Sequence, residues 1–364
     1  MTFLSAALRE RPILRGALIV PSVIALIFSL FNLTVAPDPA AMAAHVTIAT
    51  VNEDTGLPFP PVNMASRMIE GLGSRLPMHL QAFDTEASAR AALEAEEVAA
   101  LIVFPADFST AIAGQGPVPL TLVTSGSLTM GEAQMTGALP AMLESGVASA
   151  VQGIRLALAQ GRMPDMTPPV ALQSEVLNAP VNAAARMAPF IANFVTALSA
   201  LVGGIIGWVG TRGLAGTRGA ALRTLFPVIA LPLSAAVLAA IVTSLAGGSF
   251  LALWLAVAGL GIAFGWFFAG SLALFGPLAL VVLVPLVFWQ PALGGAQMPL
   301  AAGPAWLQNA SVLGLDQIGG HYRAILLGGS TGFPWALAGI AAVAGLTMIW
   351  LRGALVRQTA PVAA

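Results

Sequence analysis

Two carboxylates, Glu53 and Asp54, stand side by side in VTIATVNEDTG (Val46–Gly56), at the end of a run that reads as a buried strand. Adjacent acids at a strand terminus suit general acid–base work or the binding of a cation. Neither use finds partners in the chain. It has 3 histidines, of which His45 and His79 read as solvated or packing residues and His321 lies in a different segment, and no Ser–His–Asp arrangement is visible. With no Cys there are no disulfides, thiolate metal sites or Cys nucleophiles. Asn52, Glu53 and Asp54 precede Gly56 and Pro58, a grouping of turn formers. We therefore expect a turn, solvated or capping a helix, with contact to a cation or a substrate head group as the competing use. No catalytic residue, metal or cofactor is expected.

Composition sets the class. The 364 residues are 57% hydrophobic and 9% charged, against about 25% charged in a soluble domain, so the sequence reads as an α-helical integral membrane protein. A net charge of −1 gives no reason to expect nucleic acid. All 15 basic residues are Arg. A phosphate-binding P-loop ends in Lys-Ser or Lys-Thr, so the chain is not a conventional P-loop ATPase.

A span needs about 20 apolar residues. The first such run is 16–36, after a cytosolic amphipathic N-terminus, 1–15. A second lies between Arg186 and Arg212, and no charge occurs from Arg223 to Asp316. Gly-rich breaks at 245–249 and 267–271 divide the latter into spans at about 224–245, 249–269 and 271–289, and a last span covers about 334–351. Six transmembrane helices result, with helices 2–6 inside 188–351. Small residues at AAMAA (Ala40–Ala44) could serve a signal peptidase, but the first run exceeds the roughly 7–15 residues of a signal h-region, so it is expected to remain as a helix.

Charge then orients the chain. With the N-terminus inside, the cytosolic pieces, including loop 210–223 and tail 352–364, hold Arg9, Arg11, Arg15, Arg212, Arg218, Arg223, Arg352 and Arg357, with Glu10 as their one acid. Segment 37–187 holds every other acid of the 16 except Asp316. Both termini are thus expected in the cytosol, and 37–187 outside. Trp289, Trp306 and Trp335 fall near outer boundaries, where indoles anchor. Segment 290–333 is expected to dip into the membrane from outside.

Residues 37–187 are too many for a loop. Strand-like runs at 46–51, 78–83, 98–104 and 118–124 alternate with helical stretches at 62–76, 86–97 and 105–113. That order predicts a large α/β extracytosolic domain between helices 1 and 2, with a mostly parallel sheet. VAALIVF is apolar on both faces, as in a central strand. Asp84 or Thr85 can cap the helix in which Glu86 and Arg90 pair at i,i+4. Beyond it, Met135, Leu139, Met142, Val147, Val151, Ile154 and Leu158 mark one face of a long helix that Pro140 should kink.

TIATVNEDTG, followed by LEAEEVAALIVFPADFS, resembles the extracytosolic domain of type-2 ABC exporter permeases, especially the branch that includes the phage infection protein. The markers are Asn52, Glu53, Asp54 and Gly56, then Pro105, Phe108 and Ser109. The later FWQPALGGAQMPLAAGPAWLQNASVLGLDQIGGHYRAILLGG resembles the family's segment between spans five and six through Gly294, Gly295, Pro299, Pro304, Trp306, Tyr322 and Arg323. The chain lacks the long outside insertions of that branch and a Pro ahead of Tyr322. The resemblance implies a permease subunit of an exporter in the cytoplasmic (inner) membrane that moves a lipid, drug or other amphiphile. It also implies a homodimer or paired permease, membrane lipids as neighbours, and a separate ATP-binding subunit. That subunit would engage the N-terminal stretch and the loop carrying Arg212, Arg218 and Arg223, residues that also serve simply as topology determinants.

Three other classes compete. A proton-coupled carrier needs ionisable groups within the bilayer, and the six expected spans contain none. A non-transporting envelope or receptor protein, binding a partner through its outside domain, is separated from a permease by whether an ATPase co-purifies. A membrane enzyme is weakest, because no acid–base pair lies near the membrane surface.

Overall fold

A computed structural model describes residues 43–58, 61–114, 116–158, 170–214, 216–293, 315–329 and 331–358. The expected first span, the N-terminal stretch, and Gly294, Gly295, Pro299, Pro304 and Trp306 lie outside the described residues.

Alternation builds the α/β domain. In β1 (Thr47–Asn52) Ile48 points to one face of the sheet, and Ala49 and Val51 to the other. β5 (Ala100–Phe104) is buried at all five positions, with Ala100, Ile102 and Phe104 on the first face and Leu101 and Val103 on the second. Both are inner strands of a five-stranded sheet ordered β4 (His79–Phe83), β1, β5, β6 (Val118–Ser125), β7 (Val170–Leu177). All neighbours are parallel except β5 and β6. A small hairpin, β2 (Leu57–Pro58) with β3 (Pro61–Val62), follows β1.

Helices cover both faces. α1 (Met64–Arg75), α3 (Phe108–Ala113) and α5 (Leu139–Leu158) lie on the first, and α2 (Glu86–Glu94) on the second. Thr85 caps α2 by accepting from Ser88 N, and Arg90 bonds both Glu86 and Glu175 of β7 at 2.6 Å. The expected long helix is two helices. α4 (Met130–Thr136) ends at Gly137, and α5 starts at Leu139, which puts Pro140 in a first turn, where its missing N–H costs nothing and no kink follows. α5 buries Leu139, Leu143, Val147 and Val151 at four-residue spacing. Arg155 continues that stripe and donates to the carbonyls of Ala111, Ile112 and Gly116, around the end of α3.

The remaining chain forms a helix bundle: α6 (Ala183–Gly210), α7 (Gly216–Ala246), α8 (Phe250–Phe275), α9 (Leu280–Leu293), the short α10 (Asp316–Leu327) and α11 (Trp335–Gln358). Four stretches among the described residues are long and apolar enough to cross a membrane: 183–210, 216–246, 250–289 and 335–355. The break expected near 270 is instead at Gly276, whose φ of +62° suits glycine, followed by a 3₁₀ turn at Gly276–Ala279. There the chain reverses, and Phe288 of α9 meets Phe194 near the start of α6, with ring centroids 6.2 Å apart. Gly270 is not a break because it serves packing: its missing side chain lets the backbone of α8 touch that of Gly345 in α11.

α8 is the hub. Gly204 brings α6 onto Phe268 and Ala269, where a Cβ would lie 3.1 Å from Phe268 Cβ, and Gly265 admits Leu231 and Pro227 of α7. Two α8 indoles bond carbonyls in the proline-bearing part of α7, Trp254 to Pro232 O at 2.9 Å and Trp266 to Thr224 O at 2.8 Å. Close approach through small residues is how apolar helices associate where lipid gives no hydrophobic drive. The outward face, including Ile206, Ile229, Leu233, Ile241, Val281 and Val343, is exposed and apolar.

Gly345→Ala should lower the stability of the purified chain by at least about 2 kcal/mol, as overpacking does, because its Cβ would enter the backbone of Trp266 and Phe267. Gly339→Ala, with nothing within 4 Å of the new Cβ, should be neutral or slightly stabilising. Equal melting temperatures in detergent would show that this crossing is not tight.

Candidate functional site

The opening acids separate in the structure. Glu53 is exposed, while Asp54 is buried at 8% exposure. Asp54 Oδ1 accepts from Ser109 N (2.9 Å) and Gly56 N (3.2 Å), and Oδ2 accepts from Ala65 N (3.3 Å) and the Ser109 hydroxyl. The carboxylate therefore sits on the first turns of both α1 and α3, where free N–H groups and helix dipoles favour an anion. Asn52 completes the node, accepting from Asp54 N at 3.0 Å and donating to Ser66 Oγ at 2.9 Å. Asn63 caps α1 and donates to Asp54 O. Phe108 is fully buried, edge-on to Phe104, and Pro105 O accepts from Phe108 N. The marker residues of β1 and of the β5–α3 turn thus form one hydrogen-bonded cluster. Both oxygens of Asp54 are occupied by protein donors, and no group of three metal-ligating side chains occurs among the described residues.

Burial on its own would raise the Asp54 pKa; the hydrogen bonds from Ser109, Gly56 and Ala65 outweigh it, and the net shift is downward. A lowered native pKa gives stability that is complete above about pH 4, the unfolded value, and is lost as pH falls through the native one. Asp54→Ala should cost about 3 kcal/mol, since each stranded buried donor costs about 1–3 kcal/mol, whereas Glu53→Ala should stay within about 0.5 kcal/mol. Amide hydrogen exchange across 43–125 reads both, and unchanged protection in Asp54→Ala would remove Asp54 from this role.

A second cluster joins the α/β domain to the bundle. Glu96, in the turn after α2 with φ +60°, accepts from Arg323 of α10 at 2.7 Å, and the two side chains are only 16% and 9% exposed. Beside this pair Gly329 leaves no room, for a Cβ there would lie 3.0 Å from Glu96 Oε1. Asn178, just past β7, donates to Gly328 O at 2.9 Å, at the left-handed turn that ends α10. Asn182 caps α6 through Ala185 N and donates to Leu245 O at the end of α7. Tyr322 is fully buried, with its hydroxyl 2.9 Å from Thr196 Oγ1 of α6. Glu132 adds a second carboxylate nearby, held in a capping box with Thr129. Burial pushes its pKa up, against the Thr129 hydrogen bonds and the charge of Arg323, while Glu96 adds to the rise. His321 packs edge-on against Phe333 and bonds Thr331 O, so it belongs to this packing rather than to a ligand set.

Of these residues, Tyr322 and Arg323 carry a motif in the sequence. Thr129-x-x-Glu132 is a legible capping box. Glu96 and Asn178 give no signal, because their partners are distant in sequence; Asn182 is a local N-cap, but its bond to Leu245 O is hidden for the same reason.

At the opposite end of the bundle the loop arginines differ in their commitments. Arg223 donates to Thr211 Oγ1 (2.7 Å) and Thr211 O (3.3 Å), stapling the end of α6 to the start of α7. The guanidinium of Arg212 lies 3.8 Å over the Trp208 ring. Arg218 is exposed and makes no ion pair among the described residues. Of the three loop arginines expected to meet a partner, Arg223 is thus already bonded within the loop, while Arg212 and Arg218 are exposed.

A bundle of apolar helices with a glycine-packed hub, carrying an α/β domain at one end and an arginine-bearing loop at the other, defines a multi-span membrane protein with a docked globular domain. The family model of the ABC-2 family transporter proteins matches residues 14–289, most of the chain, and the protein belongs to that family of membrane transport proteins. No curated protein matches. A crystal structure of a domain from Thermotoga maritima, provisionally assigned to an ABC type-2 transporter, covers 36% of this chain and 84% of its own, at 21% identity and a TM-score of 0.28. That overlap is too small to bear on the fold.

Arg323→Met should destabilise the full chain by about 3–5 kcal/mol, the cost of leaving a buried charge without its partner. Adding Glu96→Gln should recover part of that loss. Additive losses in a double-mutant cycle, read from unfolding in detergent, would show that the two side chains are not coupled.

Proposed function

We propose that the chain is the permease subunit of an ABC-type exporter near the phage infection protein branch, moving a lipid, drug or other amphiphile across the cytoplasmic membrane. In this reading it has six spans, cytosolic termini and an extracytosolic α/β domain. It works as a homodimer or paired permease, with a separate ATP-binding subunit supplying the energy. The observation that carries the reading is the long charge-free stretch that supplies most of α7 and all of α8 and α9. No Asp, Glu, Lys, Arg or His occurs between Arg223 and Asp316, so α8 and α9 offer no ion-coupling group. Family membership favours ATP hydrolysis on a separate subunit as the energy source, and the far-end loop offers such a partner two exposed arginines.

Arg212 and Arg218 are the proposed coupling residues. Replacing both by Gln keeps hydrogen-bonding capacity and removes charge, while Arg9, Arg11, Arg15, Arg352 and Arg357 still orient the chain. With the partner ATPase co-purified, transport-linked ATP hydrolysis in the double variant should fall several-fold without loss of chain from the membrane. Undiminished binding and hydrolysis would leave the two arginines as topology determinants. Failure of any ATPase to co-purify with the parent chain would favour the receptor reading.

A further inference from the structure

On the α/β domain a groove runs between α1 and α5, enclosing about 560 Å³, within the roughly 300–1,000 Å³ typical of small-molecule sites. Its floor is apolar, with Met64, Met68, Leu72 and Leu76 of α1 facing Met142 and Ile154 of α5. Gly71 and Gly146 stand in the opposing walls, and a Cβ added at either would meet nothing within 4 Å. The space over both is open.

The rim is basic. Arg67, Gly71 and Arg75 follow one another at four-residue intervals along α1, so both guanidinium groups rise from the same wall. Both are exposed, and neither has a hydrogen bond or ion pair among the described residues. The carboxylates of these two helices, Glu70 and Glu144, do not line the groove. Ser145, the one hydroxyl in the lining, already donates to Met142 O.

We propose that this groove binds a single-chain anionic amphiphile, with its hydrocarbon chain along the methionine-rich floor and its carboxylate or phosphate held by Arg67 and Arg75. Three features select that class. An apolar floor with one committed hydroxyl gives nothing to the backbone of a peptide, which must satisfy its N–H and C=O groups. The arginine fork matches carboxylate and phosphate geometry and repels a cationic head. Three flexible thioethers let the floor adapt to chains of different length. The inference deepens the export reading and rests on it for its place in transport, but its test reads binding alone, so either can fail without the other.

The test uses the full chain in nanodiscs of zwitterionic lipid and a diazirine-bearing palmitate as photoprobe. Labels should map by mass spectrometry to 64–76 and 142–154, and unlabelled palmitate or dodecyl phosphate should compete. Dodecyltrimethylammonium should not. Arg67→Gln with Arg75→Gln should weaken labelling at least tenfold, and Gly146→Leu should abolish it by filling the groove. Gly71→Leu fills it from the other wall, so that loss of labelling in both fillers, at unchanged melting temperature, cannot come from unfolding. Labelling that survives the fillers, competition by the cationic amphiphile, or crosslinks from the groove to residues 1–42 or to a second copy would each overturn the proposal.

Discussion

Glu96 and Arg323 lie 227 positions apart in the chain and bond at 2.7 Å with little access to water. A charge in such a place must be met by its opposite, because desolvation costs several kcal/mol per ion and is recovered only through good geometry. The pair is therefore a constraint before it is a stabiliser. It fixes which turn of the α/β domain meets which helix of the bundle, and one misplaced turn of α10 would leave both charges buried and unmatched. Around it the other contacts fall into register: Asn178 on the end of α10, Tyr322 on α6, and Asn182 across to the end of α7.

Around α8 the governing rule is different, since no charge occurs between Arg223 and Asp316. Association there depends on surface shape, and glycine supplies it where helices must come closest. Gly204 of α6 seats that helix on α8, and Gly265 and Gly270 open two other sides of α8 to α7 and α11. The same residue type has a second use at Gly276, where a positive φ turns the chain back. Glycine in an apolar sequence thus carries two meanings, close packing and reversal, that composition alone does not distinguish.

This ambiguity explains which parts of the protein were legible in its sequence. Of the four expected strands, β1, β5 and β6 lie close to their expected places because their alternation or full burial is written locally, as in ALIVF of β5, and the edge strand β4 also falls where expected. β7 was not expected, because Val170–Leu177 is an edge strand, largely exposed and carrying Gln173, Ser174 and Glu175. The break assigned to Gly270 was a packing glycine. The Asp54 cluster was readable as a turn, but the second helix it caps comes from Ser109, whose distance from Asp54 in the chain hides the contact. The junction was the least legible part. Arg323 stood in a motif, yet nothing near it in sequence names Glu96.

α6 and α7 are closed on each other at both ends. At the α/β end Asn182 bridges from the start of α6 to the last turn of α7, and at the far end Arg223 bridges from the first turns of α7 to Thr211. These two ties set the register of the α6–α7 pair at both of its ends. Tyr322, bonded to Thr196 partway along α6, ties that pair to α10. On the same α10, one residue on, stands Arg323, whose partner Glu96 belongs to the α/β domain. The path from the arginine loop to that domain is thus a chain of discrete polar bonds set in an otherwise apolar bundle. Such bonds are directional and short-ranged, so each fixes which residues of its two elements stand opposite one another.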